Sequence, residues 1–265
     1  MRPSGERAVP EHVVTAFLPR GYRYALVIPV IDEGERIHRQ LAELQRLDYP
    51  IDVVLADGGS TDGSTEPSTL AKLGVRTLLT KTGPGRLSAQ LRMAYAYCLD
   101  EGYAGVVTVD GNGKDGLDAI PRFTTSLDDG LDYVQGSRYV RGGRAANTPA
   151  DRVFAGRLVH APLLSLASGF HFTDTTNGFR AYSRRLLEDP RLDIFRAEFD
   201  RYALLFHVTA RANRLGLRCT EVSVLRGYPN TGPVPTKVRG LSSRFGLLME
   251  TVRAAVGGYR SPLDR

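Results

Sequence analysis

Three times before its midpoint the chain runs from a short apolar stretch into a polar, glycine-rich and acidic loop. YALVIPV (24–30) leads into IDEGE, IDVVLAD (51–57) into GGSTDGS, and GVVTVD (105–110) into GNGKDG. Continuous apolar runs of this length suit strands buried on both faces, as in a parallel sheet covered by helices. Between them lie IHRQLAELQRL and RLSAQLRMAYAYCLDEG, whose apolar residues recur at helical spacing. This order predicts βαβ units and an α/β fold with a mostly parallel central sheet flanked by helices. Ligands of such sheets bind outside the carboxyl ends of the strands, so the three loops should meet in one cleft.

The second half is less regular. GSRYVRGGR (136–144) precedes a helix expected over about 151–167, followed by TDTTNGFRAYS, a helix near 200–215, the strand LRCTEVSVL and the proline-rich loop YPNTGPVPTK (228–237). In the last segment Leu241, Phe245, Leu248, Val252 and Ala255 form a helical stripe flanked by Arg244 and Arg253. That stripe suits packing on the domain or docking on an anionic membrane surface. The expected layout is an N-terminal extension (1–22), a single domain (23–240) and a C-terminal amphipathic helix with its tail (241–265).

A net charge of +6, carried mainly by arginine, points to anionic partners. No aromatic-and-basic pattern of a nucleic-acid module accompanies it, so no nucleic acid is expected. Cys98 and Cys219 lack metal-type spacing and read as reduced core thiols. No apolar run approaches the roughly 20 residues that span a membrane, and MRPSGERAVPEH lacks the apolar core of a signal peptide. The expectation is a cytoplasmic chain, soluble or peripheral on the inner face of the membrane.

Within the loops, Pro29 of PVIDE removes a backbone donor and turns the chain out of the sheet, while Asp32 and Glu33 offer acceptors for a base or ribose. An acidic pair serving a helix N-terminus is the other reading. In ADGGSTDGS (56–64), Asp57 leaves a strand and Gly58 and Gly59 permit close backbone approach. This loop lacks the GxGxxG with a helix opening at once that a dinucleotide fold needs there, and the chain has no GxxxxGK[ST] phosphate loop. VDGNGKDG (109–116) has the look of a cation or phosphate site in which Asn112 stands for an acid and Lys114 is already positive.

Taken in order, these motifs resemble the family 2 glycosyltransferases, which have the GT-A nucleotide-sugar fold. VDGNGKDG is similar to that family's Asp-x-Asp loop, and QGSRYVRGG, TDTTNGFRAYSRRLL and TEVSV resemble segments of its dolichol-phosphate mannose synthase branch. The likeness runs from about Tyr24 to Lys237. It implies a single Rossmann-like GT-A domain that moves a sugar, with inversion, from a UDP- or GDP-linked donor. By the same resemblance Pro29, Asp32, Glu33, Asp57, Gly85, Arg86, Asp110, Lys114 and Lys237 belong to the nucleotide-sugar site. Arg138, Arg152 and Arg180 belong to the acceptor side, Asp200 and Asp174 compete as general base, and Asp110 with Asn112 would hold Mg2+ or Mn2+.

The chain also departs from the family pattern. Gly58 replaces the second aspartate of Asp-Asp-Gly, and YPNTGPVPTK keeps Gly232 and Lys237 but lacks the first arginine of Arg-x-x-Gly-x-Ser-Lys. At the metal loop Lys114 would repel a cation and attract a diphosphate, so it is expected to share leaving-group stabilisation, with metal dependence weakened or altered. A polyprenyl phosphate is the leading acceptor. The alternatives are a hydroxyl of a soluble small molecule, or a degenerate nucleotide-sugar binder without catalysis.

Overall fold

The structure, a computed structural model, describes residues 7–228 and 240–264. Its core is an eight-stranded sheet. In chain order the strands are β1 (His12–Ala16), β2 (Tyr24–Val30), β3 (Asp52–Asp57), β4 (Val75–Lys81), β5 (Gly105–Thr108), β6 (Tyr133–Ser137), β7 (Arg144–Ala146), β8 (Arg180–Ser183), β9 (Cys219–Ser223) and β10 (Leu225–Gly227). The order across the sheet is β1-β4-β3-β2-β5-β8-β6-β9, and β10 pairs separately with β7.

The neighbours β4-β3-β2-β5 are parallel, as is β6-β9. β8 enters antiparallel between β5 and β6, and β1 closes the far edge antiparallel to β4. The segment read as an N-terminal extension therefore supplies an edge strand of the domain. Val13 and Val14 of β1 are exposed, so the pairing rests on the backbone partners that β4 provides and not on a buried pattern.

The central strands are buried on both faces. Along β2, Ala25 and Val27 pack into one apolar cluster while Leu26, Ile28 and Val30 pack into the other. This is the period-two alternation of a strand between two helical layers, and it explains the unbroken apolar run. Helices α1 (Glu35–Leu47), α2 (Pro67–Lys72) and α4 (Ile120–Asp128) cover one side; α3 (Leu87–Asp100) covers the other.

The expected helix over 151–167 is interrupted: α5 (Ala150–Ala155) and α6 (Ala161–Ser168) flank a π turn at Gly156–His160. The short α7 (Arg184–Leu187) and then α8 (Ala203–Arg211) follow, and the described chain resumes with α9 (Gly240–Ala255). α9 packs against α6 and α8: Thr251 is buried with its hydroxyl 2.8 Å from His160 Nδ1, and Glu250 accepts the Tyr202 N–H at 2.9 Å. Phe245, Met249 and Val256 of this segment remain exposed. Among the described residues no helix is long and apolar enough to cross a membrane.

Candidate functional site

Strand order reverses at β2, which lies between β3 and β5. A crevice opens at such a switch point because the following loops diverge to opposite sides. Here a cavity of about 940 Å³ lies against the carboxyl ends of these strands and extends to α5, α8 and α9. Its wall contains Pro29, Glu33, Gly58, Asp110, Asn112 and Lys114 from the three loops. The expected convergence of the loops is observed.

The first two loops brace each other. The Ser60 hydroxyl and N–H, with the Gly59 N–H, donate to one oxygen of the buried Asp57. Asp32, at φ 48°, accepts the Thr61 N–H at 2.8 Å. Glu33 reaches the cavity wall and is paired with Arg36 at 3.0 Å. A Cβ at Gly58 would sit 2.7 Å from the Gln90 amide nitrogen, which is held by the Val30 and Ala56 carbonyls. Gln90 thus fills the space that a side chain at position 58 would need.

The third loop is organised by a residue outside the sequence-derived site set, Arg226 of β10. Only 6% exposed, it donates from Nη2 to Asp110 Oδ2 at 2.7 Å and from Nη1 to Asp115 Oδ2. The backbone fixes this meeting: the Gly227 N–H donates to the Lys114 carbonyl at 2.8 Å, and the Gly116 N–H to the Leu225 carbonyl at 2.9 Å. Burial alone would raise the Asp110 carboxyl, but the Arg226 and Lys114 charges outweigh it and hold its pKa below the ordinary value. Burial likewise opposes the charge on Arg226, and the carboxylates of Asp115 and Asp110 more than compensate. Lys114, also buried, is lowered to about 8 by desolvation and then by Arg226, against the pull of the two aspartates.

Tyr228 links this loop to Arg152 of α5. Its ring centre lies 5.1 Å from Lys114 Nζ and 5.6 Å from the Arg152 guanidinium carbon, and Arg152 Nη1 donates to its hydroxyl at 3.3 Å. Arg138 lies in the cavity wall but is gripped by Asp174, at 2.6 Å from Nε and 2.9 Å from Nη2. Arg180 is 1% exposed and donates to the carbonyls of Asn177, Leu205 and Thr175, so it holds the surrounding loops together.

Both carboxylates weighed as general base have structural partners. Asp174 is 1% exposed in its pair with Arg138, and Asp200 accepts the Arg86 N–H at 2.8 Å where α3 begins. Gly85, at φ +108°, lets the chain make that turn; a Cβ there would lie 2.5 Å from Ala89. Arg86 lines the cavity, whereas Lys237 lies outside the described residues. Cys98 is buried, Cys219 is half-buried at a pKa of about 12 through burial, and both are unpaired thiols.

The fold is that of an α/β enzyme with a cleft at its strand ends, and the sequence comparisons show the class to be a glycosyltransferase. The chain belongs to glycosyl transferase family 2, which matches residues 25–190. It is 26% identical over 247 residues to polyprenol monophosphomannose synthase of Mycolicibacterium smegmatis, covering 92% of this chain and 89% of that protein. It is 30% identical over 207 residues to undecaprenyl-phosphate mannosyltransferase of Micrococcus luteus, with coverage of 76% and 82%. Glucosyl-3-phosphoglycerate synthase of Mycobacterium tuberculosis, solved with Mn2+, uridine diphosphate and glucosyl-3-phosphoglycerate, shares the fold at a TM-score of 0.57. Identity there is 18%, over 90% of this chain and 80% of that one.

The Mn2+ of that relative raises the question of whether a cation fits here. Asn112 Oδ1 is buried without a hydrogen-bond partner among the described residues, so one neutral acceptor is on offer. The rest of the donor set argues against a metal. Asp110 is already bound to a guanidinium and lies in one loop with an ammonium, and the charges of Asp110, Asp115, Lys114 and Arg226 cancel. At an effective dielectric near 20 a divalent ion 4 Å from Arg226 would meet about 8 kcal/mol of repulsion, so Arg226 and Lys114 together offset the pull of the two carboxylates and leave the cluster without net attraction for a cation. The residues present do not fit a divalent cation.

Proposed function

We propose that this glycosyltransferase moves a sugar from a nucleoside-diphosphate donor to the phosphate of a polyprenyl phosphate, with inversion at the anomeric carbon. One observation carries this reading: the site holds its carboxylates in arginine pairs. Of those in the cavity wall, Glu33 pairs with Arg36, Asp110 with Arg226 and Asp151 with Arg244. Asp200 and Asp174 are taken up by a helix start and by Arg138. A hydroxyl acceptor needs a base to take its proton, whereas a phosphate is already anionic and needs none.

The electrostatics point the same way. The cavity wall carries nine lysines and arginines against three acidic residues, a balance suited to a diphosphate and a second phosphate together. An acceptor phosphate oxygen attacks the anomeric carbon while the bond to the donor diphosphate breaks. Catalysis is then a matter of positioning and of positive charge at the leaving group. Arg152 and Arg138 are the proposed acceptor-phosphate contacts, and the relatives named for polyprenol and undecaprenyl phosphate support the lipid.

An acceptor of that kind lies in a bilayer. Phe154, Leu158, Leu166, Phe245, Met249 and Val256 are exposed on and beside α5, α6 and α9, interspersed with exposed Arg157, Arg244 and Arg253. Apolar and basic residues on surface helices suit contact with an anionic membrane. The test is an assay of labelled UDP- and GDP-sugars with undecaprenyl phosphate beside soluble alcohols. A lipid-extractable product is expected; transfer to the alcohols alone contradicts the proposal.

A further inference from the structure

Arg226 lies 116 residues from Asp110 in sequence and meets it at 2.7 Å. Three features make this a built site. The backbone of β10 is zipped to residues 114–116 on one side and to β7 on the other, which fixes the main chain from which the Arg226 side chain projects. Its guanidinium is buried and shared between two carboxylates, with Asn177 Oδ1 at 3.4 Å. The Lys114 ammonium completes the cluster over the Tyr228 ring, and all these groups except Asp115 and Asn177 line the cavity.

We propose that Arg226, held by Asp110 and Asp115, acts with Lys114 as the resident positive charge for the donor diphosphate, so that this chain binds its donor and transfers the sugar without a divalent cation. A guanidinium has five N–H donors, more than the three bonds described, and its planar fork matches phosphate oxygens. In the step itself, the bond between the anomeric carbon and the β-phosphate oxygen breaks and its electron pair stays on that oxygen. A lone pair of the acceptor oxygen forms the new bond. The charge gathering on the departing diphosphate is met by Arg226 and Lys114, and a phosphate acceptor requires no proton transfer. Asp110 and Asp115 are then positioning residues for the guanidinium.

This inference rests on the sugar-transfer reading of the cavity, and its test needs no acceptor. The full chain is stripped with EDTA, and UDP and GDP are titrated while thermal stability and heat of binding are followed, with and without added Mn2+. Bound Mn2+ is counted separately by the paramagnetic resonance of the free ion. For the nucleotide that binds, the expected affinity changes less than about twofold with Mn2+, and no stoichiometric ion is retained. Arg226→Gln is expected to weaken that nucleotide about tenfold or more, and Lys114→Gln by less. Should Arg226→Gln fail to fold, the measurements on the unmodified chain still decide. Binding of UDP or GDP that appears only with Mn2+, or one Mn2+ retained per chain with the nucleotide, overturns the proposal. Failure of lipid transfer in the acceptor assay would leave this result standing, so the two proposals fail separately.

Discussion

The two ends of the cavity handle positive charge differently. At the donor end Arg226 and Lys114 are each 6% exposed, and Arg226 is fixed between carboxylates by a backbone zipper. At the acceptor end Arg152 is half-buried against an aromatic ring, and Arg244 is exposed with a half-exposed partner, Asp151. Preorganised charge is most useful where charge develops in the transition state, because no reorganisation is needed at that moment. On the proposed function, a lipid phosphate that arrives from a membrane is met by side chains nearer the surface. If the proposed function holds, the contrast sets buried charge at the leaving group against more exposed charge at the acceptor.

That comparison can be pressed at several points. Arg138 is the exception at the acceptor end, buried and paired with Asp174. Asp174→Ala leaves its guanidinium without a counter-charge, and a loss of about 3–5 kcal/mol in urea unfolding is expected. A loss under about 1 kcal/mol would show that the fold does not depend on the Arg138–Asp174 pair.

The shared wall behind both ends has its own pH signature. His207 of α8 is held at a pKa of about 4 by burial, although its contact with the Leu192 carbonyl favours the charged form. The unfolded chain takes up this proton near pH 6.5 and the folded chain near 4, so stability is full above pH 6.5 and falls as pH drops through that window. About 3 kcal/mol is lost by pH 4, and His207→Gln should flatten that slope.

Arg226→Gln should lower turnover about a hundredfold, in line with losing one preorganised donor to a developing anion. Arg152→Gln should chiefly raise the KM for the acceptor. Equal effects on turnover from the two variants would erase the proposed division. Tyr228→Leu removes the ring between Lys114 and Arg152, and a cost of about 1 kcal/mol in kcat/KM is expected. The smallest effect should come from Leu166→Asp, at an exposed position of α6 outside the cavity wall, which is expected to reduce sedimentation with anionic vesicles severalfold while leaving transfer to detergent-dispersed lipid nearly unchanged.

Much of the donor end was legible in the sequence. The apolar runs at 24–30, 51–57 and 105–110 became central strands because a strand buried on both faces leaves no other pattern, and their loops converge as strand order demands. Arg226 was not legible. LRCTEVSVL reads as one strand, but the chain breaks at Val224 and re-pairs over three residues with the loop at 114–116. Three residues are too few for a period, and a contact across more than a hundred residues has no local signal. The same limit hid β1, whose side chains are largely exposed, and Gln90, which looks from the sequence like one more helical residue yet fills the gap beside Gly58. Lys114 was visible as a charge in the wrong place for a metal; the guanidinium that completes the argument appears only when β10 is folded back onto it.

The measurement that bears most directly on this account is sugar transfer by the unmodified chain in excess EDTA, followed by addition of Mg2+ or Mn2+. A resident guanidinium predicts turnover in EDTA within about twofold of that with metal, and loss of turnover in Arg226→Gln under both conditions. Turnover abolished by EDTA and restored in full by either ion would contradict it.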